Sequence, residues 1–139
     1  MRLLYILANW REAYGPRQVG NWLALAGWIG VIFWFSSQPD LKSALETWQD
    51  IVLRKCAHLA EYFVLAYLWL RCSRAKRRWS PSAAVTAIVF ALAVAGADEW
   101  YQTTVRGRHG SPYDVLADLG GVALLLLLHR RLNPPVSQT

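Results

Sequence analysis

Ile51-Val52-Leu53-Arg54-Lys55-Cys56-Ala57-His58-Leu59-Ala60-Glu61-Tyr62-Phe63-Val64-Leu65-Ala66-Tyr67-Leu68-Trp69-Leu70 has the length of a membrane span and is apolar over its second half, yet Lys55, His58 and Glu61 interrupt it. An ionisable residue in hydrocarbon costs about 2.5–3.5 kcal/mol even on lenient insertion scales, so each one marks a functional-site hypothesis. At 100° per residue, Lys55, His58 and Glu61 fall within a sector of about 120°, so one helix face carries all three. Leu53, Leu59, Phe63 and Leu70 point elsewhere. Two further stretches share this character: Ala97-Asp98-Glu99-Trp100-Tyr101-Gln102, and Arg106-Gly107-Arg108 continuing through Ser111 to Asp114 and Asp118.

The rest of the chain places these stretches in a membrane. It has 139 residues, one domain's worth, with 55% apolar residues and a charged fraction of 17%, below the level of about 25% usual in soluble domains. The apolar residues come in blocks between charged segments. Eight Trp and six Tyr suit a protein with many side chains at the membrane–water boundary. The net charge of +6 lies mostly in the connections. No groove-reading motif accompanies it, which argues against nucleic acid as a partner. Cys56 and Cys72 fall in one expected helix about 24 Å apart, too far for a disulfide, and both are expected to be buried thiols.

The fold expected is all-α: a polytopic four-transmembrane-helix bundle with spans at about 21–37, 51–71, 82–100 and 113–129 in a single domain, 1–139. The patch Leu3–Trp10 is too short to span and is expected to lie along the interface. The first span begins late and lacks a signal-peptidase-like site after it, so it reads as a mature helix. Lys and Arg concentrate before span one, between spans two and three (Arg71, Arg74, Lys76, Arg77, Arg78) and after span four (Arg130, Arg131). The opposite connections hold fewer: Lys42, Arg106 and Arg108, with Arg54 and Lys55 at a span end. The positive-inside rule then puts both termini in the cytoplasm of a multi-pass inner-membrane protein. Alternation alone brings Ser36–Gln38, Lys55–Glu61, Asp98–Gln102 and Arg106–Asp118 to one face, the extracytoplasmic one.

Several chemistries fit these residues. His58 next to Glu61 is a general acid–base candidate, with Asp98 or Asp114 as partner. Lys55, Glu99, Gln102, Arg106, Arg108, Ser111, Asp114 and Asp118 are candidate ligand-binding residues. Asp98 and Gln102 share a helix face, as do Asp114 and Asp118. Asp98, Glu99, Asp114 and Asp118 could hold a divalent cation through oxygen. The basic loop Arg106–Ser111 leads into a helix at Pro112, where backbone N–H groups and Arg forks favour phosphate. The plainer alternative is that the charges pair inside the bundle, Lys55 with Asp98 or Asp114, and Arg106 or Arg108 with Glu99 or Glu61.

The ordered set Phe35-Ser36-Ser37-Gln38-Pro39, Lys55-x-x-His58-x-x-Glu61-Tyr62, Asp98-Glu99-x-x-Gln102 and Gly107-Arg108-x-x-Ser111-x-x-Asp114-x-x-x-Asp118-x-x-Gly121 resembles the VanZ family of small membrane proteins, from about Trp22 to Leu128. The resemblance implies an integral membrane protein of about four helices, linked in the family's namesake to low-level teicoplanin resistance. It implies no particular reaction.

Three functions are therefore expected to compete. One is recognition of an anionic envelope lipid or lipid-linked cell-wall precursor. The second is an intramembrane enzyme acting on a lipid phosphate or headgroup through His58 and Glu61, metal-assisted or not. The third is a passive component working through a protein partner. The chain has no acid-phosphatase-type series and no serine or thiol nucleophile with a local motif. It has no internal repeat either, so a carrier would need a homodimer to supply a second half. Recognition is the leading expectation.

Overall fold

The computed structural model describes residues 16–38, 47–73, 79–108 and 112–134. They form four helices and, among the described residues, no strand: α1 (Pro16–Ser36), α2 (Thr47–Cys72), α3 (Pro81–Gln102) and α4 (Pro112–Leu132). The all-α class expected from sequence is therefore observed. The expected interfacial segment at Leu3–Trp10 and the candidate Ser111 lie outside the described residues.

Each helix is about 30–40 Å long at 1.5 Å per residue, enough to cross a bilayer. Of the four, α1 and α3 are both long and apolar enough for a span. The expectation of four spans is thus met on hydropathy by two helices only; α2 and α4 carry the ionisable residues.

Local chemistry sets the ends. The Ser80 hydroxyl accepts from the Ala83 backbone N–H and caps α3, and Pro81 occupies the first turn, where its missing N–H costs nothing. Along α3, Ala84, Ala87, Ala91 and Ala95 recur every three or four residues and are buried, a small-residue stripe that lets neighbouring backbones come close. Beyond α3 the chain turns through Gly107, whose φ of 82° suits glycine.

The helices alternate in direction. At one end the Gln18 side chain donates to the Cys72 carbonyl at 2.6 Å, Arg71 donates to the Asn21 Oδ1 at 2.6 Å, and the Trp79 N–H meets the Asn133 carbonyl at 3.0 Å. At the other end Gln102 reaches Ser36, and Lys55 pairs with Asp114. The most extensive packing is α2 on α4, while α1 packs on α2 and α3. One glycine governs the α2–α4 contact: a Cβ on Gly121 would collide with the Leu59 carbonyl oxygen and approach the Phe63 nitrogen to 2.9 Å. Backbone meets backbone there, and only glycine fits.

The distribution of side chains inverts that of a soluble bundle. Tyr62, Ile32, Leu65 and Val122 are buried, but so are Ser36, Asp98, Gln102 and Asp118. Large apolar residues are exposed on every helix, including Leu23 and Trp34 on α1, Ile51 and Leu53 on α2, Val85 and Val89 on α3, and Leu116 and Leu127 on α4. The thiols depart from expectation: Cys72 is buried, whereas Cys56 is exposed on the outer face of α2, one residue beyond Lys55.

Candidate functional site

α2 and α4 build the centre of the site. His58, Tyr62 and Leu65 lie four and three residues apart on α2, which puts them on one face, and Gly121 lets α4 settle against the same helix. Asp118, three residues before Gly121, then meets His58: Nδ1 to Oδ1 is 2.9 Å. The Asp118 side chain is 2% exposed and that of His58 14%, so the contact is shielded from solvent. One turn earlier on each helix, Lys55 pairs with Asp114, and this outer contact is more open, with side chains 37% and 23% exposed. Two successive polar contacts between the helices, Lys55–Asp114 and His58–Asp118, therefore run from the rim inward.

α3 contributes the other wall. Asp98 is 1% exposed, and its Oδ2 accepts from Gln102 Nε2 at 2.8 Å. The same Gln102 nitrogen donates to the Ser36 hydroxyl at 3.2 Å, which ties α3 to the end of α1. α1 also fixes α2 through Trp28, whose indole N–H donates to the Glu61 backbone carbonyl at 2.9 Å. The Glu61 carboxylate lies within electrostatic reach of His58, Asp98, Asp118 and Arg108, and Tyr62 within reach of Asp118, Asp98, Glu61 and Glu99.

His58, Glu61, Asp98, Gln102, Asp114, Asp118, Lys55 and Arg108 are thus brought together. Arg106 is exposed on the connecting turn, away from the interior, while Arg108 is half-buried. Glu99 is half-buried and flanks Tyr62. The sequence offered Asp98 or Asp114 as the partner of His58; in the structure Asp118 touches the imidazole, while Asp114 pairs with Lys55 and Asp98 with Gln102. Tyr62 was quoted in a motif without a role, and it emerges as the largest fully buried side chain at the centre. Its spacing from His58 and Leu65 was the available signal. Trp28 carried no such signal, because its partner is a backbone carbonyl on another helix.

Buried polar atoms of this cluster without a hydrogen-bond partner include the Tyr62 hydroxyl, Asp98 Oδ1, Asp118 Oδ2 and Arg108 Nε. Buried polar groups left unpaired cost about 1–3 kcal/mol each, which makes their presence at one place informative. Among the described residues, no group of three or more His, Cys, Asp or Glu side chains is arranged to hold a metal ion.

Residues 21–133 match the family model described as VanZ/LLP1. The chain belongs to the VanZ/LLP1 family. The matched region runs from the second turn of α1 to just past α4 and takes in every residue of the cluster. No curated protein and no solved structure matches this chain. Chemically, the VanZ/LLP1 cluster offers an imidazole oriented by a carboxylate, unsatisfied buried acceptors, and an arginine beside Glu61. Such a set can bind a polar group and, in principle, move a proton within it.

Proposed function

We propose that this chain is an inner-membrane protein of four crossing helices whose polar cluster binds the headgroup of a phosphate-bearing envelope lipid or lipid-linked cell-wall precursor at the extracytoplasmic side. The observation that carries it is the inverted bundle: Asp98, Asp118 and Tyr62 are buried with unpartnered polar atoms, while the outer faces of all four helices are apolar. Hydrocarbon outside and polar ligand inside reconcile both facts.

The helix ends support the placement. Trp34, Trp48, Trp100 and Tyr113, one from each helix, are exposed at the end where the cluster lies, as an interfacial aromatic girdle would be. Asp118 is five residues inside Tyr113, about 7 Å deeper. A headgroup entering from the lipid boundary needs to descend little more than one helical turn. Arg17, Arg71, Arg130 and Arg131 gather at the opposite end, which favours a cytoplasmic assignment for that end and for both termini. At the mouth, half-buried Arg108 suits phosphate.

A second reading is favoured by one contact. The 2.9 Å His58–Asp118 pair has the form of a base held by a carboxylate, and Glu61 acts on the same imidazole electrostatically. The protein would then turn over the lipid headgroup it binds. Incubation with radiolabelled envelope lipids distinguishes the two: a new product formed by wild type and lost in His58→Asn favours the enzyme.

Native mass spectrometry tests the binding itself. Wild-type protein is expected to retain a co-purified phospholipid or lipid-linked precursor, and Glu61→Ala is expected to retain at least tenfold less. No retained lipid in either protein would overturn the proposal and favour a role through a protein partner.

A further inference from the structure

Resting on the headgroup site proposed above, we infer that its occupant carries a protonated amine, held by Asp98, Asp118 and the Tyr62 hydroxyl, in addition to its phosphate. The reasoning is a charge balance within the bundle. Two aspartates, Asp98 and Asp118, are each 1% exposed and act on each other. Among the described residues, His58 faces Asp118 and contributes charge only when protonated, while Arg108 acts on Glu61. Lys55 is committed to Asp114. Even with His58 charged, one of the two aspartates has no cation partner among the described residues, and it sits where unpaired charge is most costly.

The geometry identifies which one. Asp118 has His58, whereas Asp98 is 1% exposed and its one hydrogen bond is to the neutral Gln102 amide. Asp98 Oδ1 and Asp118 Oδ2 are both buried acceptors without a donor. The Tyr62 hydroxyl, fully buried and unpartnered, lies within electrostatic reach of both and can accept from one group while donating to another. An ammonium supplies three donors and one positive charge, which meets the three orphaned atoms and the missing charge together. A headgroup hydroxyl would satisfy the hydrogen bonds but leave the charge. Glu61, flanked by Arg108 and by the two aspartates, marks the boundary between phosphate and ammonium subsites.

The test compares lipids that differ in the amine alone. Purified full-length protein is loaded with vesicles of phosphatidylglycerol mixed with either phosphatidylethanolamine or its N-acetylated form, and retained lipid is read by native mass spectrometry. Retention of phosphatidylethanolamine at least tenfold above both other lipids is expected. In Asp98→Asn that preference should fall to within about twofold, while Arg108→Gln should reduce retention of all three lipids and leave their order intact. Equal retention of the three lipids by wild type would overturn the ammonium assignment and leave the headgroup site standing. Preference for phosphatidylglycerol would overturn it too, and would identify a hydroxyl donor. Failure to retain any of the three would count against the headgroup site itself. The wild-type comparison stands whether or not a variant folds.

Discussion

Gly121→Ala is expected to destabilise the protein by about 3 kcal/mol and to broaden or abolish its thermal transition in detergent. The added Cβ meets the Leu59 carbonyl oxygen and the Phe63 nitrogen, and neither can rotate away, because both are main-chain atoms of α2. Relief requires α2 and α4 to separate, and that contact also sets the register bringing His58 to Asp118. The neighbouring Gly120→Ala is the control. Its Cβ would meet only Leu59 Cδ1 at 4.0 Å, an ordinary van der Waals contact. There the gain in helix propensity, up to about 1 kcal/mol, should leave stability unchanged or higher. Circular dichroism melts of the two variants decide it, and equal melting temperatures would show that the close approach at Gly121 is not a determinant of the fold.

Asp118→Ala should cost about 1–3 kcal/mol in stability and remove lipid retention. The substitution strips His58 of its partner in a shielded position and deletes one of the orphaned acceptors. Asp118→Asn, which keeps the shape and a hydrogen-bonding oxygen, should recover most of the stability without recovering retention. Removing the outer pair through Lys55→Met should have a smaller effect, because both its side chains are partly open. The split matters more than the magnitude. With a purely structural pair, retention would follow stability, so that Asp118→Asn would recover both.

Much of this architecture was legible in the sequence. The four helices cover the stretches that apolar blocks and punctuation mark out, and the 3–4 spacing of Lys55, His58 and Glu61 placed a polar stripe on α2. Alternation of the helices then predicted that Ser36, Lys55–Glu61, Asp98–Gln102 and Asp114–Asp118 share one end, and they do. Periodicity could not choose among partners across helices. His58 meets Asp118 rather than Asp98 because the α2–α4 register depends on one backbone contact at Gly121, and a single sequence shows only that a glycine is there. Tyr62 was obscured for a related reason: its spacing shows that it shares a face with His58, but only the packing of α4 and α3 onto that face puts it at the centre of the cluster. Cys56 was expected to be buried as one of two thiols in a single helix, yet it follows Lys55 by one residue and so points about 100° away from the polar stripe.

Whether charged helices cross the membrane is the point on which everything else depends, and α4 is the helix to probe. Leu116 and Leu127 are both exposed on it, on either side of the Gly121 contact. A nitroxide attached at Leu127→Cys or Leu116→Cys, in protein with Cys56 and Cys72 replaced by serine and reconstituted in lipid vesicles, reports its surroundings through relaxation by oxygen or by a water-soluble nickel chelate. Higher accessibility to oxygen than to the chelate at both positions is expected if α4 spans the bilayer with Asp118 turned inward. Chelate accessibility exceeding that of oxygen at Leu127 would put α4 in water and contradict the four-helix membrane bundle.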